Sequence, residues 1–74
     1  MKSIAEAKWR VQIYYAGNGR QGTEYFWNAG TSDAVLFYFA DFRSSNSFTS
    51  RNGAKKAWLR FAKLNGIKNW EWVE

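Results

Sequence analysis

From Lys8 to Tyr15 apolar and polar positions alternate: Trp9, Val11, Ile13 and Tyr15 fall on one side of the chain, Lys8, Arg10, Gln12 and Tyr14 on the other. A period of two is the pattern of a half-buried β-strand. GNGRQG, Gly17 to Gly22, then supplies glycines able to adopt the positive φ of a turn, and TEYFWN after it is built of strand formers. The two segments read as a hairpin in which Glu24, Phe26 and Asn28 share one face, while Tyr25 and Trp27 provide the core pair. AGTSD marks a second turn.

Asp33 to Phe42 holds an unbroken run of seven apolar residues, AVLFYFA. Its Val, Phe and Tyr suit a central strand, whereas Thr31 or Ser32 could cap a short helix, so both readings stay open and the strand is preferred. RSSNSFTS has no apolar periodicity and is too short to separate domains. All 74 residues are therefore expected to form one domain.

Beyond that connector the period changes. At about 100° per residue, Ala54, Ala57, Trp58, Phe61, Ala62 and Leu64 occupy one broad sector, and Lys56, Arg60 and Lys63 fall within about 60° of one another on the opposite side. Thr49 or Ser50 serves as N-cap and Gly66 as the residue past the end, giving an amphipathic helix from Arg51 to Asn65. IKNWEWVE returns as a short last strand with Trp70 and Trp72 on one face. The expected fold is α+β: a β-β-β-α-β sequence forming a three- to four-stranded antiparallel sheet with one amphipathic helix packed on one face.

Composition explains how so short a chain can build a core. Five Trp, four Tyr and six Phe can each bury roughly 150–250 Å², so no covalent staple is needed. The absence of Cys and His removes disulfides, thiolate or imidazole metal sites and the usual general base. Six carboxylates are scattered with no spacing that pairs them, and GNGR lacks the GK[ST] and strand-to-helix context of a phosphate loop. No catalytic residue, metal site or cofactor is expected, and the chain reads as a non-enzyme. MKSIAEAKWR has no apolar run of signal-peptide length, and nowhere do about 18 apolar residues follow one another, so the expectation is a cytoplasmic protein that does not engage a membrane.

Charge adds a candidate function. The net charge is +5, and seven basic residues lie between Arg43 and Trp70 (Arg43, Arg51, Lys55, Lys56, Arg60, Lys63 and Lys68) with no acid among them. Lys56, Arg60 and Lys63 are either the solvated back of the helix or phosphate contacts for a nucleic acid, and the lack of acids favours the second. Arg51, Lys55 and Lys56 crowd the helix N-terminus, where the macrodipole disfavours cations and free N–H groups favour phosphate. A second candidate surface is the sheet face the helix leaves open, with Lys8, Arg10, Gln12 and Tyr14, and Arg20 in the turn beyond. Arg and Gln can read guanine and adenine edges, and Tyr can stack on a base.

KWRVQIYYAGNGR, Lys8 to Arg20, followed by FTSRNGAKKAWLRFAK, Phe48 to Lys63, resembles the arm-binding domains of phage-type tyrosine-recombinase integrases. The shared features are a strand opening on Trp, a Gly-rich turn, and a Phe two residues before the N-cap of a basic, Ala-rich helix. In that family a three-stranded sheet lies in the DNA major groove, which implies base reading by Arg10 and Gln12. SRNGAKKAWLRFAK is similar to the start of the last helix in double-stranded RNA-binding domains, which implies a phosphate grip by Arg51, Lys55 and Lys56. The expected function is a small nucleic-acid-binding module of phage or mobile-element type, taking duplex DNA in preference to RNA. The rival expectation is a protein partner, or a homodimer, engaged through an aromatic surface around Tyr14, Phe26 and Trp70.

Overall fold

A computed structural model of the chain describes residues 3–20, 23–33 and 41–73, without the side chains of 17–20 and 23. Its elements follow in the order β1 (Trp9–Arg20), β2 (Thr23–Gly30), β3 (Asp41–Arg43), α1 (Arg51–Leu64) and β4 (Trp70–Trp72). The α+β architecture and its β-β-β-α-β order are as the sequence predicts. Residues 34–40, most of the segment whose strand or helix character was open, lie outside the described residues; Asp41 and Phe42 belong to β3.

The four strands form one sheet in the order β3-β2-β1-β4. β1 and β2 run antiparallel, with Val11 opposite Ala29 and Ile13 opposite Trp27, and β3 joins β2 antiparallel with Phe42 opposite Ala29. The purely antiparallel expectation is corrected at the other edge, because β4 pairs parallel with β1, setting Trp9 beside Trp70 and Val11 beside Trp72. The physical reason is the crossover. A helix laid over a sheet returns the chain to the end where it started, so the strand after it runs like the strand before it. β3 already runs like β1, being two antiparallel steps away.

β1 also outlasts its expected end at Tyr15, running on to Arg20 through glycines assigned to a turn. Tyr15 faces Tyr25 and Arg20 faces Thr23, so β1 carries extra residues between these pairs and the ladder shifts register there. Glycine makes such a bulge cheap. RSSNSFTS is more than a connector: Ser44 N–H donates to Trp27 O at 3.0 Å, and Phe48 and Tyr25 exchange backbone bonds of 2.8 and 3.0 Å. It thereby continues the sheet edge past β3.

The helix packs on the face that carries Trp9, Val11, Ile13, Trp27 and Ala29, all buried, and contributes Ala54, Trp58 and Ala62 to the same core. Aromatic rings fill the layer between. Trp58 meets Trp27 edge-on at 5.1 Å and Trp70 at 5.5 Å, Phe61 lies 4.8 Å from Trp27, and Phe42 lies 5.2 Å from Trp9. Leu64, assigned to the apolar stripe by its angle, is instead 80% exposed. It is the last residue of α1, past Ala62, and lines a depression with Arg43, Ser44 and Phe48 instead of joining the core.

Both helix ends are closed by local chemistry. Ser50 Oγ accepts from Gly53 N–H at 3.0 Å, which identifies Ser50 rather than Thr49 as the N-cap. At the other end Gly66 takes φ +68°, Gly66 N–H donates to Lys63 O, and Ile67 N–H donates to Ala62 O at 2.8 Å. That pair of bonds is a Schellman closure, and it buries Ile67 against the core. At the chain start Ser3 and Glu6 cap each other's N–H groups in a single turn, whose Ile4 carbonyl accepts from the Trp9 indole at 2.9 Å.

Candidate nucleic-acid interface

Strand pleating sends every second side chain away from the helix. Lys8, Arg10 and Gln12 are exposed on that open face, and Tyr14 lies half-buried beside Phe26, ring on ring at 5.4 Å and 15°. Cross-strand register extends the face into a row: Gln12 opposes Asn28, and Asn28 opposes Arg43. Alternation along the sequence puts Asn28 on the Phe26 face, and composition counts Arg43 among the basic residues, but neither brings the two residues to Gln12. The alternation of Asp41 and Arg43 about Phe42 gives Arg43 a face, and strand order then sets it in line with Asn28 and Gln12. Two shallow depressions mark the row, one of about 370 Å³ touching Arg10, Gln12, Asn28, Thr31 and Ser32, the other of about 420 Å³ between Gln12, Tyr14, Asn28 and Arg43.

The cations on this face are mostly answered. Lys8 Nζ stands 3.2 Å from Glu71 Oε1, and Arg43 Nε stands 3.5 Å from Asp41 Oδ2. Among the described residues Arg10 has no carboxylate partner, so it is the one guanidinium on this face free to take up a new acceptor. Arg20 closes β1, pairing with Thr23; its side chain lies outside the described residues.

The helix presents the opposite balance. Arg51, Lys56, Arg60 and Lys63 are exposed, and no acid stands in the first turn. Lys55 is half-buried on the β4 flank, its ammonium 5.5 Å from the ring centroid of Trp72, so it is held by an aromatic face rather than projecting with the others. Because α1 covers the face opposite to Arg10 and Gln12, the two basic sets form two sites, back to back. Trp70 lies on the helix side against Trp58, set there by the parallel pairing with Trp9, and therefore does not join Tyr14 and Phe26 in one aromatic surface.

Among the described residues no group of three or more His, Cys, Asp or Glu side chains is placed to hold a metal ion, and no helix is long and apolar enough to cross a membrane. Comparison with protein-family models, with curated proteins and with solved structures finds no match to this chain.

Proposed function

We propose that this domain is a non-enzymatic, cytoplasmic nucleic-acid-binding module that takes duplex DNA in preference to RNA. The observation that carries the reading is the helix: Arg51, Lys56, Arg60 and Lys63 stand exposed with no carboxylate among them, where a scaffold helix would set acids at i,i+4. These four cations contact phosphates, a sequence-independent attraction. The open face is the reading surface, with Arg10 and Gln12 aimed at base edges and Tyr14 beside them. Standing back to back, the two surfaces engage separate stretches of nucleic acid or act in separate binding modes.

Titration of labelled duplex DNA, duplex RNA and single strands at two salt concentrations tests this. Duplex DNA is expected to bind tightest, and four phosphate contacts give a log–log salt slope of roughly −3 to −4. Indifference to both duplexes at low salt would overturn the reading and leave the surfaces to a protein partner or a second copy of the chain.

A further inference from the structure

Between α1 and the connector after β3 runs a groove of about 490 Å³. Its floor is Trp27, its walls are Phe48 on one side and Ala57 and Phe61 on the other, and Leu64 stands at its mouth. Arg43 and Arg60 also line it, and among the described residues no carboxylate does. The volume falls in the range of ligand sites, and among the described residues an 80% exposed Leu beside a half-buried Phe forms an apolar surface without a partner.

Helix geometry sets a second row next to the first. Ala57, Phe61 and Leu64 recur at i, i+4 and i+7, and Lys56, Arg60 and Lys63 recur at the same spacing one residue earlier. One residue is about 100° of rotation, so a line of cations runs alongside the apolar line for its whole length. Nucleic acid would use the cations and leave Leu64 without a contact. A segment with apolar side chains at i, i+4 and i+7 and carboxylates beside them would use both rows at once.

We infer that this groove docks an acidic amphipathic helix of a partner protein, its apolar stripe on Ala57, Phe61 and Leu64 and its carboxylates over Lys56, Arg60 and Lys63. The inference stands apart from the nucleic-acid reading but shares its cations, so the partner segment excludes phosphate from the helix.

The probe is a fluorescein-labelled synthetic peptide with leucines at i, i+4 and i+7 and glutamates flanking them. Its controls are a scrambled sequence and a version with the leucines replaced by alanine. Anisotropy at low salt is expected to show binding at least about tenfold tighter than either control, and loss of about tenfold or more in Leu64→Glu and in Arg60→Glu. Leu64 is exposed, so Leu64→Glu keeps the fold, which circular dichroism checks. Equal binding of the controls reduces the site to a polyanion surface and overturns the inference while leaving the nucleic-acid reading intact. Absence of binding, or binding indifferent to Leu64→Glu, also overturns it. So does self-association dispersed by Leu64→Glu in sedimentation, which gives the groove to a second copy, or loss of duplex binding in that variant without peptide binding, which gives it to nucleic acid.

Discussion

The ammonium of Lys55 sits over the ring of Trp72, 5.5 Å from its centroid. Trp72 is also met edge-on by Trp70 at 4.9 Å, so this contact ties the first turns of α1 to the outer strand of the sheet. A cation held over a partly exposed indole is expected to couple by about 0.5–1 kcal/mol. Denaturant unfolding of Lys55→Ala, Trp72→Ala and the double variant measures that coupling as the departure from additivity. Strict additivity would mean that the two groups are only neighbours.

Trp58 is the hub of the aromatic layer. It is fully buried, touches Trp27, Phe61 and Trp70, and its indole N–H has no hydrogen-bond partner among the described residues. Trp58→Ala is expected to cost about 3–5 kcal/mol, a large share of the roughly 5–10 kcal/mol that a domain this small possesses. Trp58→Phe is expected to cost less, because part of the ring is kept and an unsatisfied buried donor is removed. Thermal unfolding monitored by circular dichroism ranks the two; the reverse order would refute this account of the core.

Two glycines, one in the first turn of α1 and one just past its end, should respond to alanine with opposite signs. Gly53 lies in the first turn, and an added Cβ would come no closer than 3.4 Å to Ser50 Oγ and 3.5 Å to Phe48 Cβ, which is ordinary contact. Gly53→Ala is therefore expected to stabilise by about 0.5–1 kcal/mol, the ordinary penalty for glycine in a helix. Gly66 carries φ +68° in the Schellman closure, and Gly66→Ala forces a side chain into that conformation at a cost of about 1–2 kcal/mol. Midpoints of urea unfolding decide both signs.

The helix and first strand were legible because their periods are strong: Trp58 and Ala62 on one side of a turn, Trp9, Val11 and Ile13 on one side of a pleat. The Ser50 cap and Gly66 closure follow from residues with few other uses. What escaped was set by tertiary pairing. The parallel direction of β4 is a consequence of the crossover and leaves no mark in NWEWVE itself. Leu64 has a core angle but ends the helix, past Ala62, the last helix residue in the core, and Lys55 is drawn to Trp72 by an element not yet placed when only the helix is read. The candidate surfaces were half legible for the same reason. Alternation gives Arg10 and Gln12 an open face, yet only strand order brings Asn28 and Arg43 into line with them.

Tyr15, 61% exposed, lies edge-on to Tyr25 at 5.4 Å where the hairpin leaves the core, with Glu24 as the neighbouring acceptor and negative charge for its hydroxyl. A phenolate would have no proton to offer Glu24 and would stand near a carboxylate charge, so the pKa of Tyr15 is raised above the ordinary 10.0. The unfolded chain keeps the ordinary value. The contact's contribution to stability is thus fully present below pH 10 and is lost as pH rises through the higher folded-state value. Tyrosinate absorbance during an alkaline titration should show one phenol ionising late, and Glu24→Gln should bring it back. Coincident curves for the two proteins would remove the contact from the account.

The back-to-back arrangement separates what the two basic sets do. Lys56→Glu, Arg60→Glu and Lys63→Glu together remove three of the four exposed helix cations, so duplex binding should fall for every sequence alike and the salt slope should flatten by roughly 2–3. Arg10→Ala and Gln12→Ala leave the phosphate set untouched. Each is expected to relax preference at one base position by about 1–3 kcal/mol while the slope changes by no more than about one phosphate. Selection from a randomised duplex pool, followed by binding of the recovered sequences at two salt concentrations, reads both quantities from the same proteins. If the helix variant altered sequence preference and the sheet variants altered only the slope, the assignment of the two faces would have to be exchanged.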